Sequence, residues 1–67
     1  MIEFTVNGEP RQAPTGTTIA ALLAELGVDP RQVAVEVNLE LAPRGRHAER
    51  TLAAGDRLEV VTLVGGG

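Results

Sequence analysis

Sixty-seven residues, a net charge of −3 and a hydrophobic content of 43% describe one small globular domain. The absence of cysteine excludes disulfides and thiolate metal sites, and His47, the only histidine, argues against a zinc or iron centre. All six basic residues are arginine and Phe4 is the only aromatic, so nucleic-acid binding is not expected; no segment has the length of a membrane span or the pattern of a signal peptide, and the expected location is the cytoplasm.

Ile2, Phe4 and Val6 alternate with Glu3 and Thr5, which predicts a strand with one buried face. Asn7-Gly8 follows as a hairpin signal, because both residues tolerate positive φ. A second strand is expected from about Glu9 to Ala13, and Pro10 places it at a sheet edge. Pro14-Thr15-Gly16 interrupts the pattern, and Thr17 or Thr18 can cap a helix. Ile19, Leu22, Leu23 and Leu26 then form one apolar stripe at helical spacing. Gly27 suits the left-handed position past the helix end, Val28 can fold back on the last turn, and Pro30 prevents continuation.

Val33, Val35 and Val37 predict a third strand. Leu39 to Ala42 reads either as a short edge strand or as a turn, and Pro43 to Arg50 as a polar loop with room for one helical turn. Ala54-Gly55-Asp56 predicts a tight turn. The last strand, Leu58 to Val64, puts Leu58, Val60 and Val64 on one face, and Val61 and Leu63 on the other. Apolar residues on both faces predict a central strand, a binding face, or both. One helix stripe covers one face of a small mixed sheet, so the expected fold is a two-layer α+β domain of four or five strands on one helix. The domain is expected over residues 1–64, followed by a flexible tail over 65–67.

That tail, Gly65-Gly66-Gly67, is the most informative part of the chain. Glycine has no Cβ and costs the most entropy to order, so three in succession after a core strand make a thin thread ending in a carboxylate. One reading is a frayed terminus; the other is a terminus inserted into a partner's active site. The glycines do not form a phosphate loop, which requires a following helix. The polar group Arg44, Arg46, His47, Glu49 and Arg50 contains a His and a Glu that could form an acid–base pair, but the surrounding charges indicate a solvated loop. Val61, Leu63 and Val64 form a candidate partner-binding patch, and Arg44 and Arg57 could face acidic partner surfaces.

The chain resembles the thiamine-biosynthesis sulfur carrier proteins of the ubiquitin-like β-grasp group. The resemblance rests on Thr18-Ile19, Leu22-Leu23, Leu26-Gly27, Val35-Glu36-Val37-Asn38, Pro43-Arg44, Leu52, Gly55-Asp56, Leu58-Glu59-Val60-Val61 and Val64-Gly65-Gly66-Gly67. It departs at His47, where relatives often carry a larger aromatic residue, and at Ala42, where a larger aliphatic residue is common. The resemblance implies a β-grasp fold with the last strand lying centrally beside the first. It implies a carrier and not an enzyme. A ubiquitin-activating-like adenylating enzyme would use ATP and magnesium to activate the Gly67 carboxylate, with no cofactor bound by the carrier itself. Sulfur from a cysteine desulfurase would convert it to a thiocarboxylate, and thiazole synthase would receive that sulfur for the thiazole ring of thiamine. Gly65 and Gly66 would thread the partners' channels. Carriers for molybdopterin or tRNA thiolation, a non-reacting β-grasp interaction module and a protein-conjugating modifier are the alternatives.

Overall fold

A computed structural model describes residues 1–63; Val64 and the expected tail, Gly65, Gly66 and Gly67, lie outside the described residues. The described chain runs β1 (Ile2–Val6), β2 (Glu9–Ala13), α1 (Ile19–Leu26), a 3₁₀ turn (Pro30–Gln32), β3 (Val33–Val37), β4 (Glu40–Ala42), a second 3₁₀ turn (Arg44–Arg46) and β5 (Arg57–Thr62). The five strands form one mixed sheet in the order β2-β1-β5-β3-β4. β5 is central, parallel to β1 and antiparallel to β3, as its two-sided apolar pattern predicts. β2 and β4 are the edges, in keeping with Pro10 and with the short segment after Leu39.

One face of the sheet carries Phe4, Val6, Val33, Val35, Val37 and Leu58 into the core. The α1 stripe meets it: Ile19, Leu22 and Leu23 are buried, while Leu26 and Val28 pack at the margin. The Thr18 hydroxyl caps the helix by accepting from the Ala21 amide at 3.1 Å. Gly27, at φ 75°, closes the helix in the left-handed conformation, and the Val28 amide donates to the Leu23 carbonyl at 3.2 Å.

The first turn of α1 also explains the segment that the sequence presents as a solvated loop. Helices leave their first amides without internal partners. Here the Ile19 amide donates to the Arg50 carbonyl and the Ala20 amide to the His47 carbonyl, both at 3.0 Å. The 3₁₀ turn and the residues after it are thereby held against the helix. His47 is only 4% exposed, contrary to the expected solvated loop. Its Nε2 donates to the Ala42 carbonyl at 2.9 Å, since a carbonyl only accepts, and Nδ1 is buried without a hydrogen-bond partner.

Two turns bring asparagine into the left-handed region. Asn7 (φ 52°) and Gly8 (φ 84°) join β1 to β2, as the sequence predicts. Asn38 (φ 53°) and Leu39 (φ 71°) join β3 to β4, where leucine occupies the place glycine holds in the first turn. The 3₁₀ turn at Pro30–Gln32 is a further element that the periodicity does not announce. Asp29 caps it, accepting from the Arg31 amide at 2.9 Å.

Candidate functional site: the exit of the central strand and its outer face

The candidate site is built on β5. Pairing with β3 matches Val33 to Thr62, Ala34 to Val61, Val35 to Val60, Glu36 to Glu59 and Val37 to Leu58. The Leu63 amide donates to the Gln32 carbonyl at 2.8 Å, just past the named strand. On the other side, the Asn7 side chain replaces a strand residue: its Nδ2 donates to the Val60 carbonyl at 3.2 Å and its Oδ1 accepts from the Val60 amide at 2.8 Å. At the start of β5, Asn38 Oδ1 accepts from the Arg57 amide and Asn38 Nδ2 donates to Asp56, both at 3.0 Å. Asp56 in turn accepts from the Ala53 amide at 2.8 Å, which fixes the turn before the strand. β5 is therefore tied at its start, through Val60, and again at Leu63, the last described residue.

Alternation along β5 sends Leu58 and Val60 towards the helix, and Val61 and Leu63 towards the uncovered face. Val61 is 52% exposed and Leu63 49% exposed. Two of the three expected patch residues thus lie together on the surface, and the third, Val64, lies outside the described residues. Leu41 extends the patch. It is exposed, and it lines a groove of about 160 Å³ with Leu63, Ala34, Pro43 and Arg44. Sequence reasoning missed Leu41: its outward direction follows from the buried Ala42 beside it, and three residues of β4 are too short a pattern to show it.

The polar loop does not assemble an acid–base pair. His47 bonds the Ala42 carbonyl, whereas Glu49 faces Arg46 at 3.5 Å on the surface. Nor do the described residues gather three metal-ligating side chains, and no helix among them is long and apolar enough to cross a membrane. Asp29 is held below its ordinary carboxylate pKa, first by the hydrogen bond from the Arg31 side chain and then by the Arg31 backbone amide. That exposed pair braces the 3₁₀ turn ahead of β3.

Comparison with known proteins places this geometry. Over 66 residues, covering 98% of this chain, the sequence is 47% identical to a thiazole synthase of Paramagnetospirillum magneticum, of which it spans only 20%. It is 42% identical to the sulfur carrier protein ThiS of Thermus thermophilus, covering 92% of this chain and 95% of that one. The crystal structure of the thiamine biosynthesis protein ThiS from Geobacter metallireducens superposes with a TM-score of 0.85 at 32% identity, covering 98% of this chain and all of that one. The ThiS family pattern itself matches residues 4–67, from the buried Phe4 through the last glycine. With a β-grasp body and a sequence match across its whole core, the chain belongs to the ThiS family.

Proposed function

We propose that this protein is a sulfur carrier of thiamine biosynthesis, and that its working group is the carboxylate of Gly67. The observation that carries the reading is the ThiS family match, which continues through Val64-Gly65-Gly66-Gly67. A carboxylate is a poor electrophile, because its charge repels nucleophiles and its leaving group is poor. Attack of a Gly67 oxygen on the α-phosphorus of ATP, held with magnesium by an adenylating enzyme, breaks the α–β phosphoanhydride, expels pyrophosphate and yields an acyl-adenylate with AMP as a good leaving group. A persulfide from a cysteine desulfurase displaces AMP to give an acyl disulfide, a thiol then cleaves the S–S bond and is itself oxidised to a disulfide, and the released thiocarboxylate is delivered to thiazole synthase. The likeness to a thiazole synthase chain supports that last partner.

The residues suit this role. Gly65 and Gly66 carry no side chains to obstruct a narrow channel. The chain has no thiol and no lysine amine to compete for the activated terminus. Val61, Leu63 and Leu41 offer an apolar surface beside the exit of β5 on which a receiving enzyme can seat. The domain acts as a co-substrate of enzymes and performs no turnover itself.

Incubation with the adenylating enzyme, ATP, magnesium and a sulfur source should exchange one oxygen for one sulfur in the intact mass, located on Gly67 by fragmentation. Deleting Gly66 and Gly67 should abolish the exchange and leave the fold unchanged by circular dichroism. An unchanged mass with demonstrably active partners overturns the carrier reading. Thiamine alone should restore growth of a strain lacking the gene; a requirement for another product would move the carrier to a different pathway.

A further inference from the structure

The hydrogen-bond alternation along β5 leaves one pair of main-chain groups open. Asn38 donates to the Arg57 carbonyl and Leu63 to the Gln32 carbonyl, so the odd-numbered residues of β5 bond towards β3. The even-numbered residues bond the other way: the Asp56 carbonyl accepts from Thr5 and the Leu58 carbonyl from Asn7, at 3.0 and 2.9 Å. Val60 faces the same side and is satisfied by the Asn7 side chain. Thr62 is next in this series. Its amide and carbonyl point to where β1 would continue, but β1 ends at Val6 and the chain turns away through Asn7-Gly8. Among the described residues nothing bonds either group.

This open edge borders a groove of about 310 Å³ on the helix side of the sheet. Val6, Leu26, Val28 and Val60 make its apolar wall, and Asn7 and Arg11 stand at its rim. An open donor and acceptor beside an apolar trough call for an extended main chain with an aliphatic side chain directed inward, the geometry of strand addition. The location narrows the occupant: Thr62 ends β5 and stands close in sequence to Gly67, so on the carrier reading a protein that receives the terminus has this edge within reach.

We propose that thiazole synthase contributes a short extended segment that pairs with Thr62 in the place β1 vacates, adding a strand beside the end of β5. This rests on the sulfur-carrier reading above and names how one receiver grips the carrier. It differs from the patch of Val61 and Leu63, which lies on the other face and engages side chains. Among possible receivers, the synthase is favoured because a relative carries this domain's sequence within a thiazole synthase chain.

The test is amide hydrogen exchange at Thr62, followed by NMR on the full chain, free and titrated with thiazole synthase. In the free protein the Thr62 amide should exchange rapidly while those of Val60 and Leu63 are protected; in the complex its exchange should slow at least about tenfold, as for an amide placed in a ladder. Thr62→Pro removes the open amide without touching a bond of the native sheet, and should weaken synthase binding about tenfold, the scale of one to two net main-chain hydrogen bonds. Rapid exchange of Thr62 in a saturated complex overturns the proposal, even if the proline variant fails to fold. Protection that appears in the free protein and grows with its concentration assigns the edge to a second copy, and overturns it equally. Thiocarboxylate formation, read separately by intact mass, tells failure of this contact from failure of the carrier reading: a carrier that gains sulfur while Thr62 stays open in the complex refutes only the contact.

Discussion

Leu39→Gly should stabilise the protein, and Asn7→Gly, at a similar backbone angle, should destabilise it. Leu39 sits at φ 71° in the turn between β3 and β4. An L-residue in the left-handed region carries a steric cost of roughly 1–2 kcal/mol. Burial returns little of that cost, because the Leu39 side chain is 86% exposed. Glycine removes the steric cost but loses about 0.5–1 kcal/mol through the greater freedom of its unfolded chain. The net gain is about 0–1.5 kcal/mol, and each 1 kcal/mol raises the melting temperature of a domain this size by roughly 4–8 °C. Asn7 is different. Asparagine tolerates positive φ, and its amide supplies both hydrogen bonds to Val60. Their loss should cost about 1–3 kcal/mol, since each typical bond contributes roughly 0.5–1.5 kcal/mol. Urea unfolding of the two variants and the parent, with a common m-value, measures both changes. A Leu39→Gly variant less stable than the parent would refute the assignment of strain. An Asn7→Gly variant of unchanged stability would refute the role given to the side-chain amide.

His47→Ala should cost about 2 kcal/mol, from the lost bond to the Ala42 carbonyl and the space left by a buried ring; thermal unfolding measures it, and a neutral result would return this residue to the solvated loop expected from sequence. Asp29 should titrate below its ordinary carboxylate value in carbon-13 NMR, and Arg31→Ala should raise its pKa towards that value. A depressed folded-state pKa contributes stability that is fully present above the unfolded value. The contribution of this pair should therefore hold at neutral pH and be lost as pH falls below the ordinary aspartate pKa through the folded one; an unaltered titration in Arg31→Ala would show that Arg31 is not its cause.

Local patterns that agree with the tertiary structure were readable in the sequence. The Ile19, Leu22, Leu23 and Leu26 stripe, the Asn7-Gly8 turn and the alternating valines of β3 each follow from a single stretch of chain. The two-faced apolar pattern of the last strand was read as a central strand, a binding face, or both; β5 is central, and its second apolar face is exposed at Val61 and Leu63. His47 was not readable, because its neighbours are charged and its burial is imposed from elsewhere in the chain, by helix amides that need the His47 and Arg50 carbonyls. The Asn38-Leu39 turn was concealed for the opposite reason: leucine at positive φ contradicts local preference, and the short β3–β4 connection overrides it. At the candidate site, Val61 and Leu63 were legible from alternation. Leu41 was not, because three residues of β4 give too short a pattern to assign a face.

The polar devices of this domain converge on one strand, and that concentration bears on what the domain can hold. Asn7 grips Val60, Asn38 grips Arg57, and Gln32 grips Leu63 through their amides or carbonyls. A partner that draws on the chain beyond Leu63 pulls along β5, parallel to β1 and antiparallel to β3. Such a pull loads the flanking hydrogen bonds together in shear, whereas a terminal segment leaving from an edge strand could be peeled away one bond at a time. A domain of 67 residues has a small core and little stability to spare. Under the carrier role proposed above, placing the last strand in the middle of the sheet would let such a body bear a pull on its C-terminus without being unravelled.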